Sequence, residues 1–248
     1  MLEFMRVSCE RRFPLRRTII CFVLLFTIAL TSGMGGTPQT ERPKERTEQL
    51  YFLLIDDFED GNYSKDPSWW KFDSLNLVVE KNTGLTSGDP NVAVVVGDYS
   101  LSLTGQATNW YVGGCGTYLA VDASKYSYLS MDVYGTGRSS GKLKIELFDD
   151  DNGNRQAEAD PAQGYALIYD DKFTYELVVS WKGWERISIP LMDFVDNNPG
   201  VGDDIWNPDQ RNGSGGLIQM NLIAIGPDER GKVNFNLDNI KLVRAGAK

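Results

Sequence analysis

No histidine occurs among the 248 residues of the sequence, and this absence excludes several kinds of functional site. A Ser-His-Asp triad, a zinc site with histidine ligands and a histidine general base all require an imidazole. The protein therefore uses none of these chemistries.

Cysteine is also scarce. Of the three cysteines, Cys9 and Cys21 lie in an N-terminal segment with the features of an export signal. Removal of that segment leaves Cys115 alone, so the mature chain has no second thiol for an intrachain disulfide.

The segment 1–33 predicts an export signal. A region with four arginines precedes an apolar run at 18–30, which at 13 residues is short for a membrane span. Small residues follow, and no cysteine ends the apolar run, which argues against a lipoprotein. The alternative is an uncleaved signal anchor. We expect a secreted or cell-surface protein with no membrane contact beyond this signal.

Residues 34–50 are polar and charged without apolar periodicity, which is typical of a disordered linker. The whole chain carries a charge of −9, and removal of 1–33 leaves 20 basic and 32 acidic side chains, a net charge of about −12. Such a chain is a poor match for nucleic acid or an anionic membrane. Calcium and neutral ligands suit it better.

No stretch shows a sustained helical period, whereas short runs rich in Val, Ile and aromatic residues recur to the end of the chain. The runs at 128–134 and 142–148 alternate apolar and polar residues, as expected for an antiparallel sheet with one wet face. We predict one all-β domain over 51–245, an antiparallel β-sandwich of the jelly-roll, galactose-binding-like type. The predicted strands are 75–80, 92–96, 101–104, 128–134, 142–148, 165–169, 175–179, 186–190, 218–225 and 233–243.

The last predicted strand contains a change of register. Its apolar positions alternate up to Leu237 and then jump to Ile240 and Leu242, which predicts a β-bulge at Asp238-Asn239. A second acidic cluster, 56–60, directly follows the apolar run 51–55. We predict that the first and last strands lie side by side and that their carboxylates share one calcium ion.

Four motifs resemble carbohydrate-binding modules with a galactose-binding-like β-sandwich, most closely those of family 11. A more distant resemblance is to the sandwich of complex I intermediate-associated protein 30. The resemblance covers roughly 53–243 and implies a non-catalytic module that binds polysaccharide. The motifs are Asp56-Asp57-Phe58-Glu59, Asp122-Ala123-Ser124-Lys125-Tyr126 with the strand after it, the segment 184–194, and Leu237-Asp238-Asn239-Ile240-Lys241-Leu242.

The resemblance implies a structural calcium ion held by Glu59 and Asp238, and Asp57 is a further candidate ligand. The alternative is that these acids cap turns and face solvent. The acidic segment 149–154 does not have the EF-hand spacing of ligands and glycine, so we predict an acidic hairpin loop there.

Sugar binding needs flat aromatic faces together with polar groups that bond to hydroxyls. Trp110 and Tyr111 match the place of a cleft tyrosine in the family, although ordinary core packing is the alternative. Trp206 and Arg211 lie in the long segment 195–216, and Asp171 lies roughly where the family has a ligand-binding acid. Trp69 and Trp70 are interpreted as mainly structural.

The leading hypothesis is a secreted, monomeric, non-catalytic module that binds a β-glucan-like polysaccharide and contains structural calcium. A structural or protein-interaction domain is the first alternative, because fold does not fix function. A jelly-roll glycosidase is the second, but the strand 142–148 carries only Glu146 where such enzymes often present a Glu-x-Asp-x-x-Glu motif.

Overall fold

A computed structural model describes residues 51–82 and 96–246, and all of them belong to the compact unit Glu48–Lys248. The predicted export signal and linker, and all but the last residue of the predicted strand 92–96, lie outside the described residues. Within the described residues, no helix has the length and apolar character needed to cross a membrane.

The fold is an antiparallel β-sandwich, as the sequence predicts. The first sheet has the strand order β11-β6-β14-β4-β3, and β1 pairs with the other end of β14. Its strands are β1 (Phe52–Asp56), β3 (Asn76–Lys81), β4 (Tyr99–Gln106), β6 (Tyr128–Thr136), β11 (Lys182–Pro190) and β14 (Lys232–Val243).

The second sheet has the order β12-β10-β7-β13-β5-β2, and β8 and β9 form a separate small hairpin. The strands are β2 (Trp69–Asp73), β5 (Tyr111–Val121), β7 (Gly141–Asp149), β8 (Ala159–Asp160), β9 (Ala166–Leu167), β10 (Asp171–Val179), β12 (Val195–Asp196) and β13 (Leu217–Ile225). Short 3-10 turns occupy Ala123–Lys125, Pro161–Gln163 and Leu191–Asp193.

The core lies between the inner faces of the two sheets. The alternation that the sequence shows in β6 and β7 places every second side chain in this core, where it is fully buried. These side chains are Leu129, Met131 and Val133 from β6, and Leu143, Ile145 and Leu147 from β7. The polar positions between those of β7 then face away from the core.

The predicted neighbourhood of the first and last strands is confirmed. β1 pairs antiparallel with the C-terminal end of β14, with Leu53 opposite Leu242. The predicted bulge is also confirmed, because the pairing of β14 with β6 shifts register between Asp238 and Lys241. Asn239 has a φ of 50°, a left-handed conformation that asparagine tolerates better than most residues. Leu237 and Ile240 are therefore both buried.

Three strands of the second sheet, β2, β5 and the two-residue β12, do not correspond to predicted strands. The glycines around Trp110 to Gly114 favour a loop from sequence alone, yet β5 runs through this segment from Tyr111 to Val121. The glycines hide the strand signal because they replace the side chains that normally reveal a strand. The glycines of β5 leave room for aromatic rings of the neighbouring strand β2.

Candidate functional site

A cleft of about 670 Å³ lies on the outer face of the second sheet. Strands β2, β5, β13, β7 and β10 form its floor, and the segment with the β8–β9 hairpin forms a wall. The side chains that line it include Trp70, Phe72, Asp73, Tyr111, Glu146, Phe148, Tyr165, Leu167, Lys172, Gln219, Asn221 and Ile223.

Two aromatic rings of β2 lie over glycines of β5. A Cβ on Gly116 would come within 2.5 Å of the Trp70 ring, and a Cβ on Gly114 within 2.4 Å of the Phe72 ring. Because glycine has no side chain, both rings can lie close to the surface of the sheet. Tyr118 extends this aromatic surface, with its ring centroid 5.1 Å from that of Trp70.

A polar network occupies the middle of the cleft floor. Glu146 is buried, and Nδ2 of Asn221 donates to its Oε2 at 3.2 Å. The ammonium groups of Lys144 and Lys172 lie 3.3 and 3.9 Å from its Oε1. Nε2 of Gln219 in turn donates to Oδ1 of Asn221 at 3.1 Å. The network therefore offers donors and acceptors side by side.

Strand register explains why the aromatic and polar groups meet. Trp70 is paired with Gly116, Gly116 with Asn221, and Asn221 with Glu146, so these four residues form one row across four strands. Residues that are paired in neighbouring strands point to the same face of a sheet. The row therefore places an indole, an amide and a carboxylate on one surface.

Tyr111 stands at the edge of the cleft, where its hydroxyl donates a hydrogen bond to the carboxylate of Asp73. Burial, together with this bond and the negative charge of Asp73, raises the pKa of Tyr111 above its usual value. The hydroxyl therefore remains protonated at physiological pH and orients a carboxylate at the cleft edge.

The wall formed by 157–167 is less buried than the floor. Tyr165 is 74% exposed and has a φ of 63°, which presents its ring at the surface of the hairpin. The backbone N–H of Tyr165 donates to the carbonyl of Asp160 at 2.9 Å, within the hairpin itself. Residues 150–158 join this wall to β7 and residues 168–170 join it to β10, so these two segments set its position.

Of the five residues assigned to sugar binding from the sequence, only Tyr111 lines the cleft. Gln219 and Asn221, for which the sequence leaves open a cleft or a solvated sheet face, line it as well. Trp110 is 43% exposed in the turn before β5 but is not among the lining residues. Trp206 packs edge-on against Phe173, with centroids 5.2 Å apart, and Arg211 lies 3.6 Å from Asp209 in a different, acidic depression. Asp171 is completely buried beside that depression.

Several cleft residues were missed by reasoning from sequence. Trp70 was interpreted as structural together with Trp69, yet the two adjacent side chains point to opposite faces, so Trp69 is in the core and Trp70 in the cleft. Glu146 alternates with Ile145 and Leu147, a period-two signal that placed it on the wet face. No local signal indicated that this face is concave and covered by a hairpin.

Of the three predicted calcium ligands, Glu59 lies in the turn after β1 and Asp238 lies on β14. Glu59 and Asp238 converge on one turn, where Glu59 accepts hydrogen bonds from the backbone N–H groups of Asp98 and Tyr99 and Asp238 from that of Gly97. Asp238 is fully buried, and burial with repulsion from Asp132 and Glu59 raises its pKa to about 7. Glu59 and Asp238, which are far apart in the sequence, thus approach the same turn, as two oxygen ligands of one cation would.

Asp57 and Asp56 form hydrogen bonds near the turn after β1 and do not bond to the turn 97–99 that Glu59 and Asp238 contact. Oδ1 of Asp57 accepts from the backbone N–H of Glu59 at 3.3 Å, so it bonds within its own turn. Asp56 is buried and accepts from Nε1 of Trp69 and the backbone N–H of Phe58, both at 2.8 Å. Burial raises the pKa of Asp56 to about 6. Asp56 therefore caps the turn after β1 as a buried acid, and Asp57 bonds within that turn, as the alternative for Asp57 predicts in part.

No protein-family model matches the sequence, and no curated protein matches it. Among solved structures, the chain is similar to the family 11 carbohydrate-binding module of a cellulosomal cellulase of Clostridium thermocellum, with 16% identity, a TM-score of 0.49, and coverage of 78% of this chain and 95% of that one.

Two further solved structures are similar at the same level. A family 11 module from Clostridium thermocellum, solved with a β-1,3-1,4-mixed-linked tetrasaccharide, has 18% identity and a TM-score of 0.49, over 78% of this chain and 96% of that one. A family 30 module of a cellulosomal cellulase of the same organism has 17% identity and a TM-score of 0.44, over 78% and 99%. Carbohydrate-binding modules of the predicted family are thus among the structures that this chain resembles.

Proposed function

We propose that the protein is an exported, non-catalytic module that binds a neutral polysaccharide in the cleft of the second sheet. The observation that carries this proposal is the row of Trp70, Asn221 and Glu146 across the floor. A pyranose ring has an apolar face and a rim of hydroxyls, so it needs an aromatic surface next to paired donors and acceptors. The floor offers both within one row of side chains.

The charges in the cleft favour an uncharged ligand. The carboxylate of Glu146 is neutralised by Lys144 and Lys172, and that of Asp73 receives the Tyr111 hydroxyl. An acidic or basic sugar would have to compete with these pairs. A β-glucan-like polymer is the first candidate, because the sequence motifs resemble family 11.

The two carboxylates of the cleft support binding rather than hydrolysis. A retaining glycosidase requires one free carboxylate and one protonated acid about 5 Å apart. Glu146 and Asp73 are each held in hydrogen bonds or ion pairs with neighbouring side chains. We therefore expect no release of reducing ends from mixed-linkage glucan by the purified protein, and measurable release would contradict the proposal.

Replacing Trp70 by alanine tests the proposal directly. Affinity gel electrophoresis of residues 51–248 through lichenan, barley glucan, xyloglucan, xylan and mannan should show retardation by at least one polymer. We expect Trp70→Ala to weaken binding by about tenfold, because loss of a stacked ring removes about 1.4 kcal/mol of binding free energy. Far-ultraviolet circular dichroism would confirm that the variant is folded.

Trp110→Ala is the control, since Trp110 is a tryptophan with an exposed side chain that does not line the cleft, whereas Trp70 is half-buried in it. We expect its retardation to equal that of the unmodified protein. If Trp110→Ala weakened binding and Trp70→Ala did not, the binding surface would lie at the turn before β5. If no polymer slowed the unmodified protein, a protein-interaction domain would become the better interpretation.

We further propose a structural calcium ion at Glu59 and Asp238, supported by their convergence on the turn 97–99. Calcium should raise the melting temperature of the unmodified protein, and Glu59→Gln should reduce this increment by removing a ligand from a site that only the folded chain forms. Glu59 is exposed, and glutamine keeps one of the two oxygens that accept from the backbone N–H groups of Asp98 and Tyr99, so the substitution should lower the melting temperature only modestly in a chelator. An equal calcium increment in both proteins, measured by differential scanning calorimetry, would argue against the site.

A further inference from the structure

A group of four aspartates, two of them completely buried, lies where the ends of β7 and β10 meet, separate from Glu59 and Asp238. Asp149, the last residue of β7, is paired with Asp171, the first residue of β10. Asp151 follows from the end of β7, and Asp203 reaches the same place from the segment after β12. The four acids thus come from three separate parts of the chain.

Three of these carboxylates have the spacing of ligands to one ion. One oxygen from each of Asp151, Asp171 and Asp203 lies within 4.8 Å of the other two. Two oxygens that each lie about 2.4 Å from one calcium ion can be at most about 4.8 Å apart. The three side chains therefore need no rearrangement of the backbone to share a cation.

Unpartnered oxygens in the group point to a missing ligand. Asp171 is completely buried, and its Oδ2 accepts from the backbone N–H of Ile205 at 3.2 Å, but its Oδ1 has no hydrogen-bond partner. Oδ1 of Asp149, also on a fully buried residue, has no hydrogen-bond partner among the described residues either. Buried polar atoms without any partner are rare in folded proteins, and two in one group require an explanation.

The unpartnered oxygen of Asp171 points into the cluster. A Cβ built on Gly202 would lie 2.4 Å from Oδ1 of Asp171 and 2.3 Å from Oδ2 of Asp151. Both oxygens therefore face the same small region, which is open only because residue 202 is glycine. An ion there would contact one carboxylate that follows the end of β7, Asp151, and one that begins β10, Asp171.

The electrostatics of the cluster also call for a positive charge. No lysine or arginine in the described part of the chain forms an ion pair with Asp149, Asp151, Asp171 or Asp203. Like charges buried together destabilise a fold unless a counter-ion neutralises them.

We propose that Asp151, Asp171 and Asp203 bind a calcium ion that fastens the two ends of the segment 150–170. All candidate ligands are oxygens, and calcium accepts six to eight oxygen ligands in irregular loops, whereas magnesium demands near-octahedral geometry. Backbone carbonyls and water would complete the coordination. The acids come from distant segments, which is why the local EF-hand test on 149–154 did not reveal them.

The ion would also fix the position of the cleft wall and so affect polysaccharide affinity. This consequence rests on the proposed function. The segment 150–170 carries the β8–β9 hairpin, and its wall residues include Tyr165 and Leu167. Phe148 and Lys172, which line the cleft floor, directly precede Asp149 and follow Asp171. A cation that joins the two ends of this segment would hold the wall in place, so polysaccharide affinity should depend on calcium.

Terbium titration tests the site without any polysaccharide. Trp206 directly follows Ile205, whose N–H binds Asp171, and can sensitise terbium luminescence at the cluster. The titration is made in the Glu59→Gln background, so that an ion at Glu59 and Asp238 does not contribute. We expect saturable luminescence that calcium competes away, and affinity at least about tenfold weaker in Asp203→Asn, which loses one of three charged ligands.

Asp209→Asn is the matched control, because Asp209 borders the same acidic depression but belongs to no three-carboxylate group. It should bind terbium like the parent. Asp203 is exposed, so its substitution should leave the fold intact, and Asp171→Asn should repeat the loss. Unchanged terbium affinity in both Asp203→Asn and Asp171→Asn would overturn the proposal. So would a loss in Asp204→Asn alone, which would place the ion in the overlapping group of Asp171, Asp196 and Asp204.

Retardation in the polymer gels, with calcium or chelator, separates this inference from the proposed function. Terbium binding without retardation by any polymer would refute the function and leave the cation site standing. Retardation that is equal with calcium and with chelator, together with no terbium binding, would refute the cation site and leave the function standing. We expect the Glu59→Gln protein to be retarded in calcium and less retarded in chelator. We expect the same protein with Asp203→Asn to be retarded only weakly even in calcium.

Discussion

Replacing Arg186 by methionine is expected to lower the free energy of unfolding by about 3 kcal/mol. Nε and the Nη2 atom of Arg186 donate to the two carboxylate oxygens of Asp132 at 2.7 and 2.8 Å. Asp132 is completely buried and is paired across the sheet with Asp238, another buried acid. Methionine retains the length of the side chain. Among residues 51–82 and 96–246, it leaves the Asp132 carboxylate with the Nδ2 group of Asn239, at 3.1 Å, as its one side-chain donor.

The arginine side chain is 40% exposed, which places the expected loss at the low end of values for buried ion pairs. For a domain of this size, that loss corresponds to a melting temperature roughly 6–12 °C lower. The measurement is urea and thermal unfolding in a chelator, so that calcium does not change the comparison.

A double-mutant cycle separates the charge from the packing. Asp132→Asn in the Arg186→Met background removes the unpaired charge and should recover part of the lost stability, because a neutral amide is easier to bury than a carboxylate. Lys182→Met, at the exposed start of the same strand, is the control and should have little effect. If Arg186→Met unfolded at the same urea concentration as the unmodified protein, the pair would make no net contribution to stability.

Replacing Gly116 by valine is expected to weaken polysaccharide binding by about 100-fold without disturbing the core. The Cβ alone would lie 2.5 Å from the Trp70 ring and 2.4 Å from Oδ1 of Asn221. Both side chains would have to move, so the cleft would lose a stacking surface and a hydrogen-bonding group together. Trp70→Ala removes only the first of these, which is why its expected effect is smaller.

Val178→Ala is the control for this substitution, since Val178 is 56% exposed on β10 and does not line the cleft. It should bind polymer normally. Titration calorimetry with an oligosaccharide of the retarding polymer would measure both affinities, and thermal unfolding would show whether the valine variant keeps its fold. Normal binding by a folded Gly116→Val protein would mean that the sugar does not contact the row of Trp70 and Asn221.

The order of apolar residues along the chain was sufficient to predict much of the fold. Alternation in β6 and β7 decided which side chains enter the core, because successive residues of a strand point to opposite faces. The shift from Leu237 to Ile240 located the bulge in β14 for the same reason. These are properties of one strand, and they can be read without knowing its neighbours.

The cleft and the aspartate cluster depend on which strands become neighbours. Trp70 lies in the cleft because β2 pairs with β5 and Gly116 provides a surface without side chains, a relation that joins residues 46 positions apart in the sequence. Asp171 meets Asp149 through the pairing of β10 with β7, and Asp203 joins them through a later segment. The sequence by itself thus determined the sandwich, its core faces and its bulge, since burial of apolar side chains follows a local period. Only the tertiary structure decided where aromatic, amide and carboxylate groups meet, because the register between distant strands is set by the packing of the whole core.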